Sequence, residues 1–162
     1  MTDRMDFHLA TCSCGQVRLR LDGPPIVAST CHCDSCKAAG RALEQLPGVR
    51  PILDKTEGTA FVLFRKDRVS SEAGADLLAD YRLTPESKTG RIVATCCNTA
   101  MFLDFPPGHW VSVYRGRLPE RERGLDRRRG WFVPRLVLTW IGMGFRTPAI
   151  AFAKGETRVL AG

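Results

Sequence analysis

The stretch "TCHCDSCKAAG" at residues 30–40 constrains this chain more than any other, because it sets Cys31, Cys33 and Cys36 within six positions. C-x-C and C-x-x-C spacings aim sulfurs at one point when the backbone turns between them. Zinc takes thiolates at about 2.3 Å, most often four in a tetrahedron. Three ligands are one short of a closed site. Either a fourth comes from elsewhere in the chain, or the position is left open for chemistry, as in a catalytic zinc with three protein ligands. Three thiolates around one zinc ion leave a net charge of about −1. Such an electron-rich centre suits an incoming thiol, which it deprotonates while keeping the sulfur nucleophilic.

The chain has seven cysteines, and the other four fall in pairs, Cys12/Cys14 and Cys96/Cys97. An odd number cannot all pair within one chain. The first residues, "MTDRMDFHLATCSC", lack the apolar run of a signal peptide, so a cytoplasmic location is expected. In a reducing compartment clustered cysteines are metal ligands or reactive thiols rather than disulfides. Buried inert thiols would need no fixed spacing. Cys12 and Cys14 have no neighbouring partner, so a shared site with Cys97 is expected, and Gly15 permits the turn between them. The expected cofactor is zinc, one or two ions.

At 162 residues, 44% hydrophobic and 25% charged, the chain is long enough to bury a core. "QVRLRLDG", 16–23, alternates Val17, Leu19 and Leu21 with Arg18, Arg20 and Asp22, the pattern of a strand with one buried face. "IVAST", "TAFVLF" at 59–64, "GRIVATCC", "AMFLDF" and "WVSVYRG" at 110–116 read as further strands. Lys37–Leu46 reads as a short helix stopped by Pro47 and Gly48, and "GADLLADY" as a helical turn running into a strand. The expected class is mainly β, with a zinc-binding domain over 5–118 and a basic, apolar extension over 119–162 that is partly helical.

Net charge is +7, and the run "RGRLPERERGLDRRRG" at 115–130 carries seven arginines against three acids. A basic balance favours anionic partners, although a charge run is often a solvated face. "WFVPRLVLTWIGMGFRTPAIAFA", 131–153, follows, and its longest uncharged stretch, Leu136–Phe145, is too short to span a bilayer. One reading is a helix packed on the domain or on a second copy in a homodimer. The other is a membrane-surface segment behind a basic anchor. Trp110, Trp131 and Trp140 read as core or interface rather than a platform for bases, and no specific nucleic-acid partner is expected.

The motifs "CSCGQV" at 12–17, "CHCDSC" at 31–36 and "CNTAMF" at 97–102, the last led by Tyr81 and Arg91, resemble those of the glutathione-dependent formaldehyde-activating enzyme family, which includes centromere-protein-V-type domains. The resemblance covers roughly residues 10–118. It implies a β-tent fold of small antiparallel sheets, a structural zinc on Cys12, Cys14 and Cys97, and a catalytic zinc on Cys31, Cys33 and Cys36. It further implies carbon–sulfur lyase-type chemistry that joins glutathione to formaldehyde. One departure stands out: the family's first cysteine in the last motif falls on Ala94, and its glycine on Asn98. Cys96 could supply the lost ligand only if the backbone turns, since neighbours on a strand face opposite ways. His8 is a weaker substitute. His32, between two ligands, reads as an orienting or packing residue and His109 as a loop residue.

Two main functions follow. One is an enzyme acting on glutathione or another small thiol, with Arg41 and Arg91 as partners for its carboxylates. The alternative is a non-catalytic, zinc-stabilised binding module that uses the basic C-terminal region on an acidic partner. A third reading makes Cys96 a redox-sensing thiol.

Overall fold

The computed structural model describes residues 6–120, 132–153 and 155–160. The chain runs β1 (Phe7–Thr11), β2 (Arg18–Asp22), β3 (Val27–Cys31), α1 (Asp34–Glu44), β4 (Thr59–Arg65), β5 (Val69–Ala73), β6 (Leu78–Arg82), β7 (Gly90–Ala94), β8 (Thr99–Asp104), β9 (Trp110–Tyr114), α2 (Phe132–Gly142) and β10 (Thr157–Val159). Its class is mainly β, as the strand patterns require, with a helix in the C-terminal extension. The strands form a small sheet in the order β1-β2-β5 and a large one in the order β10-β6-β7-β8-β9-β4-β3. All neighbours are antiparallel except β10, which runs parallel to β6.

Alternation in β4 explains the layering. Val62 and Phe64 point to one face of the large sheet, where they meet Leu19 and Leu21 of the small sheet with Phe102, Val111 and Val113. Phe61 and Leu63 point to the other face, where α1 covers them with Ala39 and Leu43. The helix buries Cys36, Ala39, Gly40 and Leu43, which recur at helical spacing on one stripe. The central strands are therefore sandwiched, and truncating a fully buried ring such as Phe102 to alanine costs about 3–5 kcal/mol. The helix begins three residues earlier than the periodicity suggests, because Cys33 has extended backbone and serves as its N-cap while Asp34 sits in the first turn.

Three strands escape the sequence pattern. β1, β5 and β10 all lie at sheet edges and lack strong alternation. β10 joins the C-terminal extension to the large sheet: Asp80 N–H donates to the Glu156 carbonyl at 2.9 Å, Leu160 N–H to Arg82 at 2.7 Å, and the Leu160 side chain is buried. Gly155 is required at the approach, because a Cβ there would meet the Leu78 carbonyl at 1.8 Å. Most of the arginine-rich run, from residue 121, lies outside the described residues.

α2 is held at one end by aromatic contacts. The His109 ring stacks on Trp140 at 6.0 Å with 12° between planes and meets Trp110 edge-on at 5.0 Å, while Met143 just past the helix is buried. Burial holds the His109 pKa below its usual value against a backbone hydrogen bond with Leu136, and the charges of Lys66 and Arg65 add to the lowering. The folded state thus favours neutral imidazole. This stability is complete above the unfolded value of about 6.5 and is lost as pH falls below it. The melting-temperature advantage of wild type over His109→Asn should therefore shrink between pH 7.5 and pH 5.5, and an advantage that stays constant would argue against this role.

Candidate metal centres

The first cluster is built by two turns. After β1 the chain reverses at Cys12–Gly15, with Gly15 N–H donating to the Cys12 carbonyl at 3.1 Å and Gly15 at φ 82°, a left-handed conformation that glycine adopts without steric cost. The second turn follows β7. That strand ends at Ala94, and residues 95–98 form a turn with Asn98 at φ 53°. Because Cys96 and Cys97 lie on this turn and not on a regular strand, both sulfurs reach the same point as Cys12 and Cys14. The four sulfurs all lie within 4.8 Å of one another. Cys96, two positions after Ala94, thus stands as the fourth sulfur of this group.

The separations test whether a metal fits. Ligands 2.3 Å from the centre of a tetrahedron stand about 3.8 Å apart. Cys12–Cys14 is 3.6 Å, Cys12–Cys96 3.9 Å, Cys96–Cys97 3.8 Å and Cys14–Cys96 3.3 Å. Surrounding donors orient the sulfurs: Val17 N–H reaches Cys12 at 3.3 Å and the Gln16 amide reaches Cys14 at 3.5 Å. The Thr99 hydroxyl lies 3.0 Å from Cys97 and also bonds Ser13. These contacts set the proton order of the cluster. Burial raises the Cys97 pKa, but the Thr99 hydroxyl, the Cys14 amide and neighbouring thiols outweigh it and bring Cys97 to about 6. Cys96 goes the other way, pushed up by burial and by the Cys14 and Cys97 thiols. His8 is not in the group; it lies on β1 with its ring 5.5 Å from Phe64.

The second cluster is Cys31 at the end of β3, Cys33 at the N-cap of α1 and Cys36 in its first turn. Cys31 and Cys33 are 3.3 Å apart, and the three sulfurs lie within 4.8 Å of one another. Among the described residues no fourth His, Cys, Asp or Glu joins them. Burial works against ionising Cys33, yet the Ser35 hydroxyl at 3.3 Å, the Cys36 amide and the two other thiols bring it down to about 7. The helix N-terminus favours negative charge there. Cys36 is pushed up by its burial and by Cys31 and Cys33. His32 turns away from the sulfurs to Thr56, Nε2 to Oγ1 at 2.9 Å, and Thr56 donates to Asp54 at 2.7 Å.

Of the two arginines expected near a substrate, Arg41 forms an ion pair with Glu57 on the loop before β4. Arg91 is 2% exposed, lies beneath α1 and donates to the Ser35 carbonyl at 3.2 Å. A cleft of about 90 Å³ opens elsewhere, lined in part by Ser13, Arg50, Thr99, Tyr114, Arg115 and Arg117. It begins beside the first cluster, at Ser13 and Thr99, and reaches Tyr114, whose hydroxyl burial pushes above its ordinary pKa. Sequence reasoning missed Ser13, Ser35, Thr99 and the cleft arginines. The one available signal was the threonine two residues after Cys97.

The mainly β domain thus has two cysteine clusters, one of four sulfurs and one of three, that could each hold a metal ion. Residues 8–49 match the model of the family described as glutathione-dependent formaldehyde-activating enzyme, a span that contains the first five cysteines but ends before Cys96 and Cys97. The likeness to that family thus covers about a quarter of the chain, at its N-terminal side. None of the curated proteins compared matches it. A crystal structure of a Rhodobacter sphaeroides protein is similar in fold, at 16% identity over 73% of this chain and 96% of that one, with a TM-score of 0.50.

Two measurements check the division of the sulfurs. Wild type purified without chelator should carry two metal ions per chain, and Cys96→Ser one. The same variant should lower the melting temperature by on the order of 10 °C, since a closed metal site contributes directly to folding. An unchanged metal count would remove Cys96 from the site.

Proposed function

We propose that the chain binds zinc at both clusters and forms S-hydroxymethyl-type adducts from a small thiol, such as glutathione, and an aldehyde. The observation that carries this reading is the asymmetry of the clusters: four convergent sulfurs in one and three in the other. Zinc held by Cys31, Cys33 and Cys36 would supply one open position at which a thiol ionises near neutral pH. The reaction balances without a redox partner. The thiol releases its proton, its sulfur pair forms the new C–S bond, and the carbonyl oxygen receives the displaced pair and a proton.

The protein residues have defined parts in this scheme. Cys36 anchors the triad from within the core, and Cys33 ionises most readily at the helix N-terminus. Buried Arg91 places a cation beneath a site that gains negative charge when a thiolate arrives. Arg50, Arg115 and Arg117 line the cleft that offers cations to a carboxylate tail. At about 90 Å³ the cleft admits such a tail and not a whole tripeptide, since ligand pockets commonly run to several hundred Å³. That narrowness favours the alternative, a zinc-stabilised binding module without turnover.

X-ray absorption on the zinc-loaded protein separates the two. Saturation with glutathione should raise the average sulfur count around zinc, and calorimetry should show binding. Cys36→Ser should lower adduct formation more than about tenfold while destabilising the fold less than Cys12→Ser does. A sulfur count that does not rise, with no heat of binding, would give the reading to the module.

A further inference from the structure

The hairpin between Leu53 and Thr59 sets a long carboxylate where its backbone favours glycine. Leu53 and Thr59 pair across it, Asp54 N–H donates to the Gly58 carbonyl at 2.9 Å, and Glu57 N–H to the Asp54 carbonyl at 3.0 Å. The Asp54 carboxylate fastens the turn from within, accepting from the backbone N–H of Thr56 at 2.7 Å and of Gly58 at 2.9 Å. Glu57 closes the turn at φ 59°, in the left-handed region. Glycine or asparagine ordinarily fills such a position. A side chain kept there against its backbone preference points to a task for that side chain.

The hairpin tip is pinned at two points beside the three-sulfur cluster. Thr56 Oγ1 lies 2.9 Å from His32, the residue between Cys31 and Cys33, and the Glu57 carboxylate is ion-paired with Arg41. Arg41, Lys37 and Cys33 stand at four-residue intervals, so they form one row along α1, and Lys37 N–H donates to the Cys33 carbonyl at 3.0 Å. Eight helical steps from Cys33 to Arg41 span about 12 Å of backbone. The hydrogen bond and charge of Arg41, with the charge of Lys37, hold the Glu57 carboxyl below its ordinary range, so it is ionised at neutral pH. The Arg41 and Glu57 side chains are 60% and 49% exposed, and a pair so open to water contributes little to a fold. The hairpin is already fastened by its backbone bonds, by Asp54 and by His32. What the pair does control is the cation: a carboxylate arriving from solution finds Arg41 taken. A thiol with its sulfur at the cysteines reaches Arg41 only if its carboxylate lies on the order of 10 Å away, the length of about three extended residues.

We propose that Glu57 is an internal stand-in for a substrate carboxylate: it occupies Arg41 until a carboxylate-bearing thiol of short-peptide length displaces it. The inference rests on thiol binding at Cys31, Cys33 and Cys36, and adds which thiols are accepted and what competes with them. The test is calorimetric titration of the zinc-loaded full chain with glutathione and with glutathione diethyl ester, which keeps the thiol and loses both carboxylates. Wild type should bind glutathione more tightly than the diester. Glu57→Gln should tighten glutathione about two- to fivefold and leave the diester unchanged. Arg41→Gln should weaken glutathione about fivefold, and in that background Glu57→Gln should bring no gain. Glu57→Gly, which suits the turn, should bring the same gain with a melting temperature no lower than that of wild type. Wild type that binds neither thiol overturns the thiol reading and this inference with it. Wild type that binds both, with Glu57→Gln changing neither affinity, overturns this inference alone. So does a gain that the diester shares or that persists without Arg41, and so does a lowered melting temperature with unchanged affinity, which would make the pair a brace.

Discussion

Four sulfurs drawn from two sheets meet at one point, and the architecture turns on that meeting. Cys12 and Cys14 come from the turn between β1 and β2 of the small sheet, and Cys96 and Cys97 from the turn between β7 and β8 of the large one. Cys12 and Cys96 are separated by 84 residues in sequence. A metal on these ligands cross-links a long loop, which restricts the unfolded chain far more than it restrains the folded one. The same contact fixes how the small sheet lies over the core formed by Leu19, Leu21, Val62 and Phe64. The three-sulfur cluster has no such task. Its ligands come from one continuous stretch, the end of β3 and the start of α1, and removing one of them unties no distant element.

Proton affinity follows the same division of labour. In each cluster one thiol ionises readily, Cys97 or Cys33, because hydroxyl and amide donors surround it, while another, Cys96 or Cys36, is held protonated by burial and by its neighbours. A cation that binds must displace the reluctant protons, so metal uptake and proton release are one event. What separates the clusters is the completeness of the ligand set and the setting: a junction of sheets in one case, a helix N-terminus above a buried arginine in the other.

Much of this was legible in the residues. β2 and β4 announced themselves by alternation and by unbroken apolar runs, and the cysteine spacing gave both clusters. The orientation of Cys96 was not legible, because it depends on β7 ending at Ala94, which is a matter of pairing with Leu78 and Thr99 and not of local pattern. The fate of Arg91 was hidden for a related reason. On β7 it faces α1 along with Val93, and an arginine in a strand gives no sign in sequence of being buried. β5, "VSSEA", has almost no apolar content, and its pairing with β2 is a decision of the partner strand. The cleft arginines come from the loop after α1 and the turn after β9, segments joined only by tertiary structure.

The parallel pairing of β10 with β6 bears on the order in which the molecule can be made. β6 receives β7 from the chain immediately after it, but its other edge stays open until Thr157–Val159 exists. During vectorial synthesis the ribosome therefore releases nearly the whole large sheet with one raw margin, carrying Leu78–Arg82 as an unpaired template for any extended segment nearby. Asp80 and Arg82, which bond each other on that strand, give the margin charged side chains through this interval. The edge that the finished protein hides is thus one a nascent chain must survive.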